Sequence, residues 1–338
     1  MIPYLTYYLF SLSLLLVDKK YIPFFFSLGW FLFVGFRDGI GTDYFPVMES
    51  FERNYIDFQN FGASFKGYML VDMELVFKII ATPFYYLGID MIGIHVVTSF
   101  IESILIYFLL KKIKHKKLLM LYFVALFTLN YPMNITRNGL ALLLLVFAAN
   151  YFRDEKGKKK LFTLFSALSH YSSIPLILLT TIRIKKVSTI IVGASIMFLI
   201  FYFFLDMLAL RYPIGQSGAM GFKGYGFKLI LGTILMLMIN YFVVERRFFK
   251  QENVIIIALM FGAYLFNPLA RYNLFYTTFI LFSNLFIIDD RKIGPNSRLM
   301  LLSMPLLMLF GEWLAIISYV QCYGCGSWLP FKSLLGDF

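Results

Sequence analysis

With 338 residues, 60% of them hydrophobic and including 40 Phe and 23 Tyr, the chain carries more apolar surface than one soluble core can absorb. Its net charge of +12 would suit a nucleic-acid binder, but the placement of that charge argues against one. Segments 18–20, 111–117, 153–160, 183–186, 245–253 and 289–298 hold 21 of the 31 Lys and Arg and only 7 of the 19 acidic residues, the bias that marks short cytoplasmic loops.

That orientation predicts the path in chain order. Residues 1–17 lack a small-residue cleavage site and read as a first membrane helix whose N-terminus lies outside. Segments 3–17 and 21–36 form a hairpin around Asp18-Lys19-Lys20, and 91–110 enters the cytoplasm at KKIKHKK. A second hairpin pairs 118–133 with 137–152, and later crossings are expected at 187–205, 227–244, 254–268, 271–288 and 298–320. The expected fold is all-α: one polytopic membrane domain over 1–338 with about ten crossings, each near the length that spans a bilayer.

Two apolar stretches break the alternation. Residues 161–182 have basic runs on both sides, so a re-entrant hairpin turning near His170-Tyr171-Ser172-Ser173, with arms of about ten residues, keeps both runs inside. Residues 74–89 pose the same parity problem, which a short interfacial or re-entrant helix beginning at Glu74 solves. Broken backbone at depth is tolerated where protein buries it or it lines a watery cavity. The outer segments 37–72 and 206–226 are expected to form part of such a cavity.

Four arginines, Arg37, Arg137, Arg211 and Arg271, stand at the outer ends of apolar segments. Arginine at membrane depth is costly and is kept where it pairs or faces a polar cavity. Its planar fork suits phosphate and carboxylate, so the set suggests a pocket for an anionic, phosphorylated substrate. In FRDGIGTDYF (36–45), Arg37 can hold a phosphate while Asp43 orients a sugar hydroxyl or the arginine; the plainer reading is a helix-end ion pair with Asp38 or Asp43. Glu74, in VDMELVFKII, either favours the helix N-terminus, ionises beside an arginine or acts as a base.

Arg137, in NITRNGLAL, opens a helix, where a cation opposes the dipole. That points to a bound anion helped by free N–H groups, with a snorkelling arginine as the alternative. His170 lies at the expected re-entrant turn, where imidazole suits a proton acceptor. Arg271 follows Asn267-Pro268 and repeats the Arg137 argument, while Arg211 in LALRYPIG precedes a glycine-rich loop able to close over substrate. His95, Glu102 and Glu312 read as partnered interior groups and His115 as a solvated loop residue. Cys322 and Cys325 offer too few ligands for a metal, and a local disulfide is expected on the outer face. The chain has no compact Asp/Glu cluster, P-loop or dinucleotide glycine motif.

Taken in order, FRDGIGTDYF, the Glu74 helix, NITRNGLAL, ALSHYSSIPL and the late ARYNLFY resemble the EpsG family, bacterial polysaccharide polymerases of the Wzy type, over roughly residues 1–335. The resemblance implies an inverting, metal-independent glycosyltransferase of the bacterial cytoplasmic membrane, without cofactor, whose site faces outside. Its substrates would be polyprenyl-diphosphate-linked oligosaccharides, and a chain-length regulator and a flippase its partners. By motif match Arg37, Asp43, Glu74, Arg137, His170 and Arg271 carry over, with Tyr44, Asn138 and Tyr272 as adjoining substrate contacts. Asn138 stands where the family often has Gln. His170 is the leading general base and Glu74 its rival. The alternatives are a lipid-linked oligosaccharide flippase, which often shows internal repeats absent here, and a membrane acyltransferase.

Overall fold

Runs of Leu, Phe and Ile uninterrupted by charge fold as helices throughout the computed structural model, each satisfying its backbone groups within the segment. The structure describes residues 2–38, 74–88, 92–128, 136–170, 173–181, 226–244, 251–265, 268–289 and 294–320, with short pieces of 49–60 and 332–337. Contacts group the chain into two compact units, residues 1–174 with 302–338, and residues 175–301.

The first unit opens with α1 (Ile2–Ser13) and α2 (Ile22–Gly35), joined around Asp18 to Lys20. Helix α2 begins with Pro23 in its first turn, where a missing N–H costs nothing. Gly29 lets the two helices close: a Cβ there would stand 2.2 Å from the Phe10 ring. Next come a two-residue strand β1 (Arg37–Asp38), α3 (Leu75–Leu87) and α4 (Ile92–Lys112). Within α4, Gly93–Lys112 is long and apolar enough to cross a membrane, the one helix among the described residues to meet that test. Its buried face is nevertheless polar, with His95, Thr98, Ser99 and Glu102 at helical spacing. Polar groups in a membrane helix turn toward protein rather than lipid, and α4 packs on α2, α3 and the later α6.

Helix α5 (Lys116–Tyr122) widens into a π-helical turn, Phe123–Thr128. The Thr128 hydroxyl donates to the Phe123 carbonyl at 2.9 Å. Its proton thus committed, Thr128 accepts from Trp30 Nε1 at 3.1 Å and from the Tyr7 hydroxyl at 3.2 Å. One oxygen thereby ties α1, α2 and the π-turn.

Helices α6 (Thr136–Asn150) and α7 (Lys156–Ser169) form the frame for the site. At 15 and 14 residues they match in length, roughly 20 Å each. They run antiparallel: Phe162 meets Phe147 with ring centroids 5.2 Å apart, and Ser166 Oγ donates to the Ala141 carbonyl at 2.7 Å. Two close-fitting contacts of small and aromatic residues thus set their register. The helix stops at His170, whose backbone is extended, and α8 (Ser173–Thr181) follows.

In the second unit, α9 (Gly226–Ile239) runs into a π-turn, Asn240–Val244, followed by α10 (Gln251–Leu265) and α11 (Pro268–Asp289). Buried amides join them: Asn240 donates to Asn253 and Asn284 to Asn240, while Asn273 Nδ2 reaches the Ile256 carbonyl at 2.8 Å. Such interhelical hydrogen bonds hold helices together where the surroundings give no hydrophobic drive. The chain continues as α12 (Pro295–Val320), and strand β2 (Lys332–Ser333) pairs antiparallel with β1 on one side and with β3 (Gly336–Asp337) on the other. Among the described residues the fold is therefore helical apart from three two-residue strands.

Two boundaries differ from the sequence expectation. The first arm of 161–182, expected at about ten residues, begins earlier and forms the 14-residue α7, because the lysine run 156–160 joins the helix. The expected 118–133 helix takes a π-helical turn over Phe123–Thr128, and its remainder lies outside the described residues. Arg37 and Asp38 form backbone pairs with Ser333 and Lys332 instead of a simple helix end. The expected crossing at 187–205 lies outside the described residues.

Candidate active site

Glu74 is the residue before α3, in extended conformation at the N-cap position, yet its carboxylate makes no cap hydrogen bond. It turns instead toward two residues far along the chain. Oε1 lies 2.6 Å from His170 Nδ1, and Oε2 lies 2.8 Å from Arg137 Nη1. The carboxylate is 5% exposed, whereas Arg137 and His170 are 28% and 22% exposed. The anion therefore sits behind two partly open groups and holds both.

Each of the three is delivered by its own element. Arg137 stands in the first turn of α6, and His170 caps the C-terminus of the antiparallel α7, so both arrive at the same height. Serines fix the break at His170. Ser173 donates its N–H (3.0 Å) and shares its hydroxyl (2.8 Å) with the His170 carbonyl, and the His170 N–H donates to Ser166 O at 3.2 Å. With its backbone pinned, the imidazole has little freedom beyond the orientation that Glu74 selects.

Burial alone would raise the pKa of the Glu74 carboxyl, but the His170 hydrogen bond and the Arg137 charge outweigh it and hold the carboxyl below its ordinary value. The ionised carboxylate can only accept, so His170 Nδ1 donates to it. In a neutral imidazole that choice leaves the lone pair on Nε2. The arrangement can thus take up a proton at Nε2 while a fixed anion steadies the resulting imidazolium. A guanidinium lies within reach of the same carboxylate for a neighbouring anion.

A profile of the EpsG family matches residues 20–333. The chain belongs to the EpsG family. It is thereby a Wzy-type polysaccharide-polymerase-like membrane protein. No curated protein and no solved structure matches the chain.

Of the residues singled out in this EpsG member's sequence, Glu74, Arg137 and His170 come together. Asn138 follows Arg137 on α6 and is buried. Arg37 lies in β1, where its backbone is paired with Ser333. Arg271 and Tyr272 stand in the first turns of α11, Tyr272 half-buried. Arg211, Asp43 and Tyr44 lie outside the described residues, as do 206–225, Cys322 and Cys325. Among the described residues no three His, Cys, Asp or Glu side chains cluster as a metal site would require.

The sequence reading passed over Lys78. It is buried at 5% exposure one helical turn beyond Glu74, on the α3 face that also buries Ala81 and Tyr85. A charged residue four positions after Glu74 in an otherwise apolar half-helix was the available signal. It also passed over Ser166, and placed Ser173 in the turn without a part in fixing it.

Proposed function

We propose that this EpsG-family chain polymerises polyprenyl-diphosphate-linked oligosaccharide repeat units at the outer face of the bacterial cytoplasmic membrane. The observation that carries the reading is the buried Glu74 carboxylate shared between His170 and Arg137. An acceptor sugar hydroxyl attacks the anomeric carbon of the donor glycan from the face opposite its diphosphate. The hydroxyl proton passes to His170 Nε2 as the new C–O bond forms. The bond from the anomeric carbon to the diphosphate oxygen breaks, and its electron pair leaves on the lipid diphosphate. Glu74 orients the imidazole and stabilises its charged form, which assigns it the supporting part and His170 the base. Arg137, with Arg37, Arg271 and Arg211, serves the departing diphosphate, whose growing charge placed donors stabilise without a metal. Asp43, Tyr44, Asn138 and Tyr272 are the proposed sugar contacts. The segments 37–72 and 206–226 wall the cavity in a single polytopic domain of about ten crossings.

The test is purified protein with one defined lipid-linked repeat unit, scored for a ladder of longer glycans. Wild type should give the ladder without divalent metal and in the presence of chelator. His170→Ala should lose 10²–10⁴-fold, the usual worth of a general base, while still binding the lipid diphosphate. Arg137→Lys keeps charge but loses the fork and should cost about 10²–10³ in rate. Lipid-linked substrate that moves across the membrane with no ladder would identify a flippase instead. A fully active His170→Ala would return the base to Glu74.

A further inference from the structure

The basic end of the first unit has a structure that orientation alone does not require. Lys112 Nζ donates to the Asn150 carbonyl at the end of α6 (2.9 Å), and Lys117 Nζ donates to the Leu15 carbonyl just past α1. The ends of α1, α4 and α6 and the starts of α5 and α7 therefore meet at one rim. Behind it lies a knot of rings, with Phe147 stacked on Tyr151 at 4.6 Å and edge-on to Phe152 at 5.3 Å. Aromatic side chains collect in this way at the level of lipid headgroups.

Lys156, Lys158, Lys159 and Lys160 form the first turn of α7 and are all exposed. Cations there oppose the helix dipole. Lys156 also stands three and four positions from Lys159 and Lys160, where like charges repel. Glu155 answers Lys158 at 2.7 Å, and among the described residues the other three have no acidic partner. A basic loop would set orientation equally well without this cost. One turn further on, the side of α7 turned away from α6 is apolar, with Leu161, Leu164 and Phe165 exposed at 47%, 53% and 40%. Lysine stems can reach up from such a surface to the polar layer.

We propose that this rim is a docking surface for anionic phospholipid. The lysine turn of α7 takes the headgroup phosphates, and Leu161, Leu164 and Phe165 lie against the acyl chains beneath. Clustered lysines at a membrane surface draw anionic lipid in this way, and the attraction is screened by salt.

The experiment uses the full chain, delipidated in a neutral detergent, with its thermal midpoint followed as lipid is added. Phosphatidylglycerol should raise the midpoint, and phosphatidylcholine and inorganic phosphate should not. A variant with Lys156→Gln, Lys158→Gln, Lys159→Gln and Lys160→Gln should need at least about tenfold more phosphatidylglycerol for the same shift. The same four positions changed to Arg should respond as wild type does. Raising the ionic strength should abolish the wild-type response, a measurement that stands even if the glutamine variant does not fold. Equal stabilisation by phosphatidylcholine, an unaltered glutamine variant or a salt-independent response would each overturn the proposal. So would stabilisation by inorganic phosphate, which would mark a free-anion site. A response to soluble polyglutamate without one to phosphatidylglycerol would assign the rim to an acidic protein and overturn it equally.

Discussion

At Glu74 one carboxylate serves two neighbours, so a substitution there tests both contacts. Glu74→Gln keeps the shape but removes the charge that fixes the His170 Nδ1–H and the Arg137 guanidinium. It should destabilise the protein by about 1.5–3 kcal/mol, the range for a hydrogen bond to a charged group, read as a lower thermal midpoint. The pH dependence follows from the depressed carboxyl pKa. A group whose folded pKa lies below its unfolded value contributes fully above the unfolded value. Its contribution fades as pH falls through the folded one. The midpoint difference between wild type and Glu74→Gln should therefore be present above the carboxylate range and lost as pH falls through the lowered Glu74 value. A difference that persisted undiminished below that range would mean that Glu74 is not held ionised.

The three site residues were individually legible as polar groups at the edges of apolar runs. Their pairing was not, because Glu74 and His170 stand 96 positions apart and no local period relates them. Lys78 escaped notice for the opposite reason. A lysine at helical spacing from an acid reads as an ordinary surface pair, and only its burial sets it apart.

Among the elements, the break after α7 was readable from two basic runs flanking an apolar stretch with HYSS at its centre. The length of α7 was not, since composition assigns a lysine run to a loop while the helix continues through it. The π-turn was hidden as well: Thr128 gives no sequence sign that it will join Tyr7, Trp30 and Phe123. Thr128→Val tests that junction. It preserves the volume but leaves the Tyr7 hydroxyl and Trp30 N–H without their acceptor, at about 1–3 kcal/mol for each buried donor. Loss should register as a lower midpoint, with the proposed polymerase activity retained below it. Gly29→Ala addresses the α1–α2 contact, where the added Cβ would stand 2.2 Å from the Phe10 ring. Overpacking of this kind costs about 1–3 kcal/mol, and Gly29→Ala with Phe10→Leu should recover part of it.

For the whole molecule, membrane topology decides on which side each basic loop lies. The charge pattern predicts that Lys156–Lys160 and Lys185–Lys186 face the same, cytoplasmic, side. In a background with Cys322→Ser and Cys325→Ser, single cysteines at Gly157 and Lys185 should both resist an impermeant reagent applied outside. Strong labelling at only one of them would make 161–182 an ordinary crossing. Helicity and membrane residence were legible from composition because a lipid environment leaves the backbone few alternatives. The division into two compact units was not, since both are built from the same apolar vocabulary.

The shared carboxylate has a consequence for turnover. An arginine pocket without an internal anion would grip a lipid diphosphate most tightly after the reaction, when the freed product carries more negative charge than the ester it came from. With Glu74 already seated on Arg137 at 2.8 Å, the proposed diphosphate pocket would offer a damped potential. Released carrier then has a competitor waiting for its site. If polymerisation proceeds as proposed, Glu74→Gln should slow chain growth and at the same time tighten the binding of free polyprenyl diphosphate. Inhibition of the ladder reaction by added carrier measures both effects in one assay. The acid would then act as the counterweight that lets a strongly charged by-product go.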